Sequence, residues 1–499
     1  AGGPSDDSAG GGADVSQEWG VVKASLRQQL LIPSVAHTGG IGNASWQTDV
    51  ILRNPESVPV FVGFEFAPSG GSRSGDVTNG VLLLPGQIRV VPDVVRTVLH
   101  QESGFGSVFL DVSIGTSIEA TSRTYTATTQ GSFGMGVGAV ELVTGALPGF
   151  PLTFASGLQG RGYRTNLVLA DVSGRGARAS LRLASQLPNR HPLPLALSAP
   201  AWGPMQLSAI ESTWEDEGRE AGSFILDATS GAVVPLLVSI DDRTNDPTYF
   251  PPDLSGSVER TIPAIVHTRG ANGADFQSDL FLVNPSDQTH TVTLTMTPWD
   301  NVRAQQDLTL TFLPYESRTI KDVLGTLFAR TGVAKLTVRN FWTGAGRSTD
   351  AVRATSRTYT TDSTGGTYGM LLPPLNAFQS VGPGEALTIL GTIGGAGFRT
   401  NLALVELSPA WIVNNVPAAS VRVEISDGQG VIRDAFDVAV PTAGGMQLND
   451  LFRARGLGAG PEAALIRVTA ITGQVAAYAT LIDQLTNDST YFAAVLAAR

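Results

Sequence analysis

IPSVAHTGGIGNASWQTDVILRNP, Ile32–Pro55, decides how this chain is read, because it comes back. IPAIVHTRGANGADFQSDLFLVNP, Ile262–Pro285, repeats it 262 − 32 = 230 residues later. Three more matches follow in the same order. TSRTYTATTQGSFGM, ending at Met135, returns as TSRTYTTDSTGGTYGM, ending at Met370. GRGYRTNLVLADVS from Gly160 returns as GAGFRTNLALVELS from Gly395, and DDRTNDPTYF, ending at Phe250, returns as DQLTNDSTYF, ending at Phe492. Ordered matches at a nearly constant offset mean a tandem duplication.

Each half is doubled again. QTDVILRNP in the first quarter resembles RTNLVLADV in the second, and Asp49, Asn166, Asp279 and Asn401 occupy matching places. A Thr-Tyr pair closes every quarter: Thr124-Tyr125, Thr248-Tyr249, Thr358-Tyr359 and Thr490-Tyr491. Between them lies a shared middle: LLLPGQIRVVPDVV at Leu82, PAWGPMQLSAI at Pro200, FLPYESRTIKDVL at Phe312 and PTAGGMQLNDL at Pro441. The quarters alternate in type. The first and third share the IPxxxHT entry and the SRTYT exit; the second and fourth share a TND exit. The expected division is a flexible tail over 1–18, modules over 19–145 (with an N-terminal extension), 146–256, 257–380 and 381–499, arranged as two similar pairs.

Within the repeats the apolar period is two. Val60, Val62, Phe64 and Phe66 alternate with Phe61, Gly63 and Glu65; Val292, Leu294 and Met296 alternate with threonines; Val421, Val423 and Ile425 alternate with Arg422 and Glu424. One apolar and one polar face is the pattern of a half-buried antiparallel strand. Asn54-Pro55 and Asn284-Pro285 end such runs, since proline cannot donate to a ladder. Helical spacing appears only in Val91–His100 and Ile320–Arg330, with Asp93 and Asp322 near their starts, where a carboxylate favours a helix N-terminus. Modules of this size with roughly seven strands predict an all-β chain of four tandem antiparallel β-sandwiches, with short helical turns plugging one end. The TDVILRNP and SDLFLVNP segments and the repeat length resemble bacterial extracellular proteins built from tandem, cysteine-free, Ig-like (fibronectin-like) modules, over about residues 31–496. That resemblance implies an Ig-like sandwich in each module and a place outside the cell.

Composition narrows the chemistry. Among 499 residues only 15% are charged, against about 25% for typical domains. Gly 57 and Pro 29 supply turns for many short strands. With no cysteine, disulfides, thiolate metal sites and cysteine nucleophiles are excluded. A formal net charge of -11 argues against nucleic-acid binding, and no apolar run reaches the roughly 18 residues of a membrane helix. The first residue is Ala1, and Ala1–Gln17 is Gly, Asp and Ser with little apolar content, so a processed start and secretion to the cell surface are expected.

Few residues carry a chemical signature. H-E-x-x-H, G-x-S-x-G and Walker patterns are all missing. Of the five histidines (His37, His100, His191, His267, His290), His37 and His267 are repeat equivalents, read as structural imidazoles near the module entry rather than as catalytic bases. The TND exits gather Asp241, Asp242, Asn245 and Asp246 in one half, and Asp483, Asn487 and Asp488 in the other. Such oxygens suit calcium, but without D-x-D-x-D-G spacing an Asx turn is the favoured reading. Arg123 and Arg357 in SRTY, and Arg164 and Arg399 in YRTN and FRTN, are expected to cover aromatic rings or pair with carboxylates. Trp46, Trp202, Trp299 and Trp342 suit core or rim packing better than a sugar platform. The apolar stretch Trp19–Val35 offers Trp19, Val21, Val22, Leu26, Leu30 and Leu31 as residues for assembly by strand addition to a neighbour, against the simpler reading that it packs on its own module.

The expectation for function is therefore a non-enzymatic extracellular structural protein, a rod or building block of a surface fibre, filament or layer. Its partners would be itself or other surface proteins. The alternative is an adhesin or carbohydrate-binding protein working through loops at one end of a sandwich.

Overall fold

The computed structural model describes residues 27–497 apart from 76–78, 130, 157–161, 186–192, 214–221, 254–257, 271–272, 301, 342–350, 393, 396 and 408–417. The chain is all-β, built from antiparallel sheets packed face to face. Eight strands form the body of the first set: β1 (Gln29–Gly39), β2 (Ser45–Arg53), β3 (Val60–Pro68), β4 (Asn79–Leu83), β5 (Ile88–Val91), β6 (Gly104–Val112), β7 (Glu119–Thr128) and β8 (Gly131–Gly138), and a short ninth, Val140–Glu141, pairs with β1. One layer runs β4-β3-β6-β1 and the other β5-β2-β7-β8. The same two pairing orders recur in sets spanning Leu152–Phe250, Glu259–Leu372 and Ala386–Ala493. Among the described residues, roughly seven strands per module thus become eight, or nine in the first and fourth sets, where Val140–Glu141 and Val495–Leu496 are added. In a constant-type immunoglobulin domain the first two strands share a sheet; here they lie in opposite layers.

The entry motif explains a difference between odd and even sets. Along β1, Gln29–Ile32 and Val35–His37 pair with β6, and His37–Gly39 pair with β2, so the strand passes from one layer to the other at His37. The register shifts between Ile32 and Val35, across Pro33. Proline has no N–H for a ladder, so the strand bulges there and resumes its pairing with β6 in a shifted register before it reaches β2. Glu259–Arg269 does the same around Pro263. Leu152–Phe154 and Ala386–Thr392, which open the even sets and lack the motif, stay in one layer.

Alternation does what the sequence asks. Val60, Val62 and Phe64 are buried between the layers, while Phe61 is exposed. The helical segments are shorter than their periodicity suggests: α1 is Val94–Thr97, and its counterparts are Val323–Phe328 and Leu451–Ala454. Val91 and Ile320 belong instead to the preceding strands.

The sets are not strung out as a rod. Arg73 of the first set lies between Trp202 of the second and its own Phe109, 4.2 and 4.7 Å from the ring centroids. Phe250 of the second packs on Phe281 of the third, 6.0 Å between centroids. Ala403, Val405 and Tyr478 of the fourth complete the core of the third. Ile51 and Ile88 of the first close on Leu390, Ala463 and Leu465 of the fourth. The first and last sets touch, so the four close into a ring.

Candidate functional site

The ring has a centre. The last strand of each set, β8, Pro247–Phe250, Thr367–Leu372 and Ser489–Ala493, touches the next in cyclic order. Here the two motifs that alternate along the sequence meet as complementary halves. The SRTY arginine of each odd set enters the TND loop of an even set: Arg357 of the third reaches the second, and Arg123 of the first reaches the fourth.

Arg357 is 1% exposed. Its Nη2 donates to Asp246 Oδ2 at 3.3 Å, its Nε to Thr248 Oγ1 at 3.0 Å and its Nη1 to Thr367 Oγ1 at 3.1 Å. Asp246 Oδ2 also accepts the Gly369 N–H at 3.0 Å. At the loop base, Asp241 accepts the Thr367 N–H and hydroxyl at 2.8 and 2.9 Å. The other joint uses the equivalent residues and differs at the guanidinium, which donates to Ser132 and Thr490 rather than to its aspartate. Arg123 donates to Ser132 Oγ at 2.9 Å, Asp488 Oδ2 accepts the Gly134 N–H at 2.9 Å, and Asp483 accepts the Ser132 N–H and hydroxyl at 2.8 and 3.0 Å. Burial pushes the Arg123 guanidinium below its ordinary pKa, with Asp488 opposing that push.

The loops themselves are Asx turns. Asp241 Oδ1 accepts the N–H groups of Arg243 and Thr244; Asp483 Oδ1 accepts those of Leu485 and Thr486. Asn245 and Asn487 follow at φ 60° and 62°, a left-handed conformation that asparagine tolerates. Asp242 pairs with Arg164 at 2.6 Å, and Asn245 Oδ1 accepts from the same guanidinium at 2.9 Å. The calcium candidates are thus divided between two loops and engaged largely with N–H, O–H and guanidinium donors. Among the described residues no three His, Asp or Glu side chains gather into a metal-holding group.

Beside the joints lies a cavity of about 550 Å³, lined by residues of all four sets, among them Met135, Tyr249, Met370, Tyr491 and Phe492. Pro251, Pro252, Pro373 and Pro374 line it as well.

Other sequence candidates fall elsewhere. Leu30 and Leu31 are buried in β1 and pair with Leu110 and Phe109 of β6, within their own set. Trp19, Val21, Val22 and Leu26 lie outside the described residues, as do His191 and Trp342. His37 and His267 meet Asp93 and Asp322, each at 2.8 Å. Trp46 packs on a cluster that joins Met135 of its own set to Val168 and Leu236 of the second, and Trp299 of the third set lies against Gly445 of the fourth, so these tryptophans line joints between sets. Where the second set has Asp242 the fourth has Gln484, so its loop offers Arg399 no matching carboxylate; burial lowers the pKa of Arg399. Sequence reading missed that TND and SRTY bind each other. The available signal was their strict alternation.

No protein-family model matches this chain, and no curated protein matches it. Two solved structures align weakly. Dimeric latent PorU from Porphyromonas gingivalis is 11% identical over 76% of this chain and 31% of its own, with a TM-score of 0.13. An alpha-L-rhamnosidase from Streptomyces avermitilis, complexed with L-rhamnose, is 8% identical over 90% of this chain and 57% of its own, with a TM-score of 0.11. The chain thus spans less than two thirds of either, and scores this low carry no argument.

Proposed function

We propose that this protein is a non-enzymatic structural building block of an extracellular surface assembly, made of four antiparallel β-sandwich modules closed into one rigid unit. One observation carries the reading: its repeated charged motifs are spent on holding modules to each other. Arg357 and Asp246 are 1% and 0% exposed, so neither is open to a substrate. Broad joints between neighbours limit the hinge motion expected of modules on linkers. A closed block of this kind is suited to stacking in a fibre or layer. Electron microscopy of the native cell surface and of the purified chain at rising concentration tests this. Filaments or sheets with a repeat of one block support it; single particles under every condition, with none at the surface, overturn it.

A second reading, an adhesin or carbohydrate-binding protein, is favoured by the central cavity with Tyr249 and Tyr491 in its wall. Aromatic rings and a few polar groups are common linings of ligand sites. A glycan array separates the two readings.

A further inference from the structure

The two Arg–Asp joints meet at a single place. Asp246 and Asp488 come from different halves of the duplication, are 0% and 1% exposed, and lie within hydrogen-bonding reach of each other. Each gives its Oδ2 to a backbone N–H, from Gly369 and Gly134. Each Oδ1 is buried and has no donor. Two ionised carboxylates in that arrangement would leave two acceptors facing without a hydrogen between them, an expensive state in a dry interior. The surroundings do not remedy this. Arg357 faces Asp246, and Arg123 faces Asp488 from β7. Asp241 and Asp483 stand at the loop bases and Tyr368 on the strand beside them, and Arg123 is also faced by Asp49 and Tyr125. Carboxylates therefore outnumber guanidiniums around the pair.

We propose that Asp246 and Asp488 form an acid pair that holds one proton between their Oδ1 atoms, and that this proton locks the two halves of the duplicated chain at the centre of the ring. No bond other than O–H···O forms, and the proton comes from water. Two carboxylates sharing a site cannot both ionise readily, so one stays protonated far above the usual carboxylate range. The titration trend agrees: burial, then the neighbouring carboxylate, raises Asp246 well above its ordinary value, and burial raises Asp488 to about 6.

The direction of the pH dependence follows from linkage. A carboxyl whose folded pKa is raised adds stability that is complete below the unfolded value and lost as pH rises through the folded one. The lock is therefore tight below about pH 4, loosens as pH rises from there, and is released above about 6. A rise from the ordinary 3.8 to about 6 corresponds to roughly a hundredfold in the folding constant. The test is chemical denaturation of the full chain between about pH 4.5 and 8.5, for wild type, Asp488→Asn and Asp246→Asn. Either amide places an N–H where the shared proton sat, so each variant should lose most of the roughly thirtyfold fall that wild type shows across that range, the remainder of the hundredfold lying below about pH 4.5. Equal pH dependence in wild type and variants overturns the proposal. Should the variants not fold, carboxyl carbon-13 shifts of aspartate-labelled wild type decide. Two coupled signals titrating in separate steps, the later one above about pH 6, support the pair; all aspartates titrating together below about pH 5 sink it.

Discussion

Asp49 accepts the backbone N–H of Asp93 at 2.8 Å, while Asp93 stands at φ 43°. The same relationship recurs in every set. Asn166 holds Ala209 at 3.1 Å (φ 48°), Asp279 holds Asp322 at 3.0 Å (φ 44°), and Asn401 holds Asp450 at 2.9 Å (φ 45°). A non-glycine residue in the left-handed region costs of order 1 kcal/mol or more, and the side-chain acceptor offsets that cost. The choice between Asp and Asn also has a cause. Tyr359 donates a second hydrogen bond to Asp279 at 3.3 Å, and Tyr125 does the same for Asp49. In the even sets Ile240 and Ile482 stand at the tyrosine positions, and the neutral amide takes the place of the carboxylate.

Asn401→Ala should therefore strand the Asp450 N–H and cost about 1–3 kcal/mol. Asp279→Asn keeps an acceptor in place and should lose less. Urea denaturation of both variants measures the difference. An equal loss would show that the acceptor is not what matters.

Removing Arg357 should be far more damaging than removing a surface arginine. Arg357→Met leaves Asp246 buried beside Asp488 without its cation, at a cost of about 3–5 kcal/mol. Arg422, whose partner Asp437 is 60% exposed, should cost about 0.5 kcal/mol or less when changed to Ala. Thermal melts of the two variants rank them directly.

Glycine spacing in β8 yields a test of how close the sets stand at the axis. A Cβ on Gly136 would lie 2.6 Å from the Tyr491 carbonyl oxygen, whereas one on Gly138 meets nothing within 4 Å. Gly136→Ala should push the first and fourth sets apart, lowering the melting temperature and enlarging the radius of gyration in X-ray scattering. Gly138→Ala should do neither.

How much of this was legible in the letters depends on distance along the chain. The duplication, the alternating strands and the Asp/Asn marker are local and periodic, so they could be read. Pro33 marks only a bulge within the pairing to β6, and nothing in the letters says that the chain passes to β2 from His37 onward. The carboxylates of Asp93 and Asp322 suggested helix caps. Only Asp322 accepts a helix N–H, from Gly325, and both turn to histidines. Arg123 and Asp488 are 488 − 123 = 365 residues apart in sequence, and no period connects them. What their recurrence did contain was complementarity: one motif in odd quarters, its counterpart in even ones. A chain of independent modules has no need of that alternation, but a ring with two equivalent joints does.

That complementarity makes the two halves separable parts of one object. A half ending at residue 256 carries one arginine socket, around Arg123, and one TND loop, around Asp246. The half from 257 carries the matching loop around Asp488 and the socket around Arg357. Expressed together as separate chains, they should assemble one to one through both Arg–Asp joints, with buried apolar seams at Phe250–Phe281 and at Ile51, Ile88 and Leu390. Sedimentation of the mixture should show a particle of the intact chain's mass. Introducing Arg123→Ala in one half and Arg357→Ala in the other should abolish it. If the halves stay apart while each is folded, the covalent link near residue 256, rather than the joints, holds the ring closed.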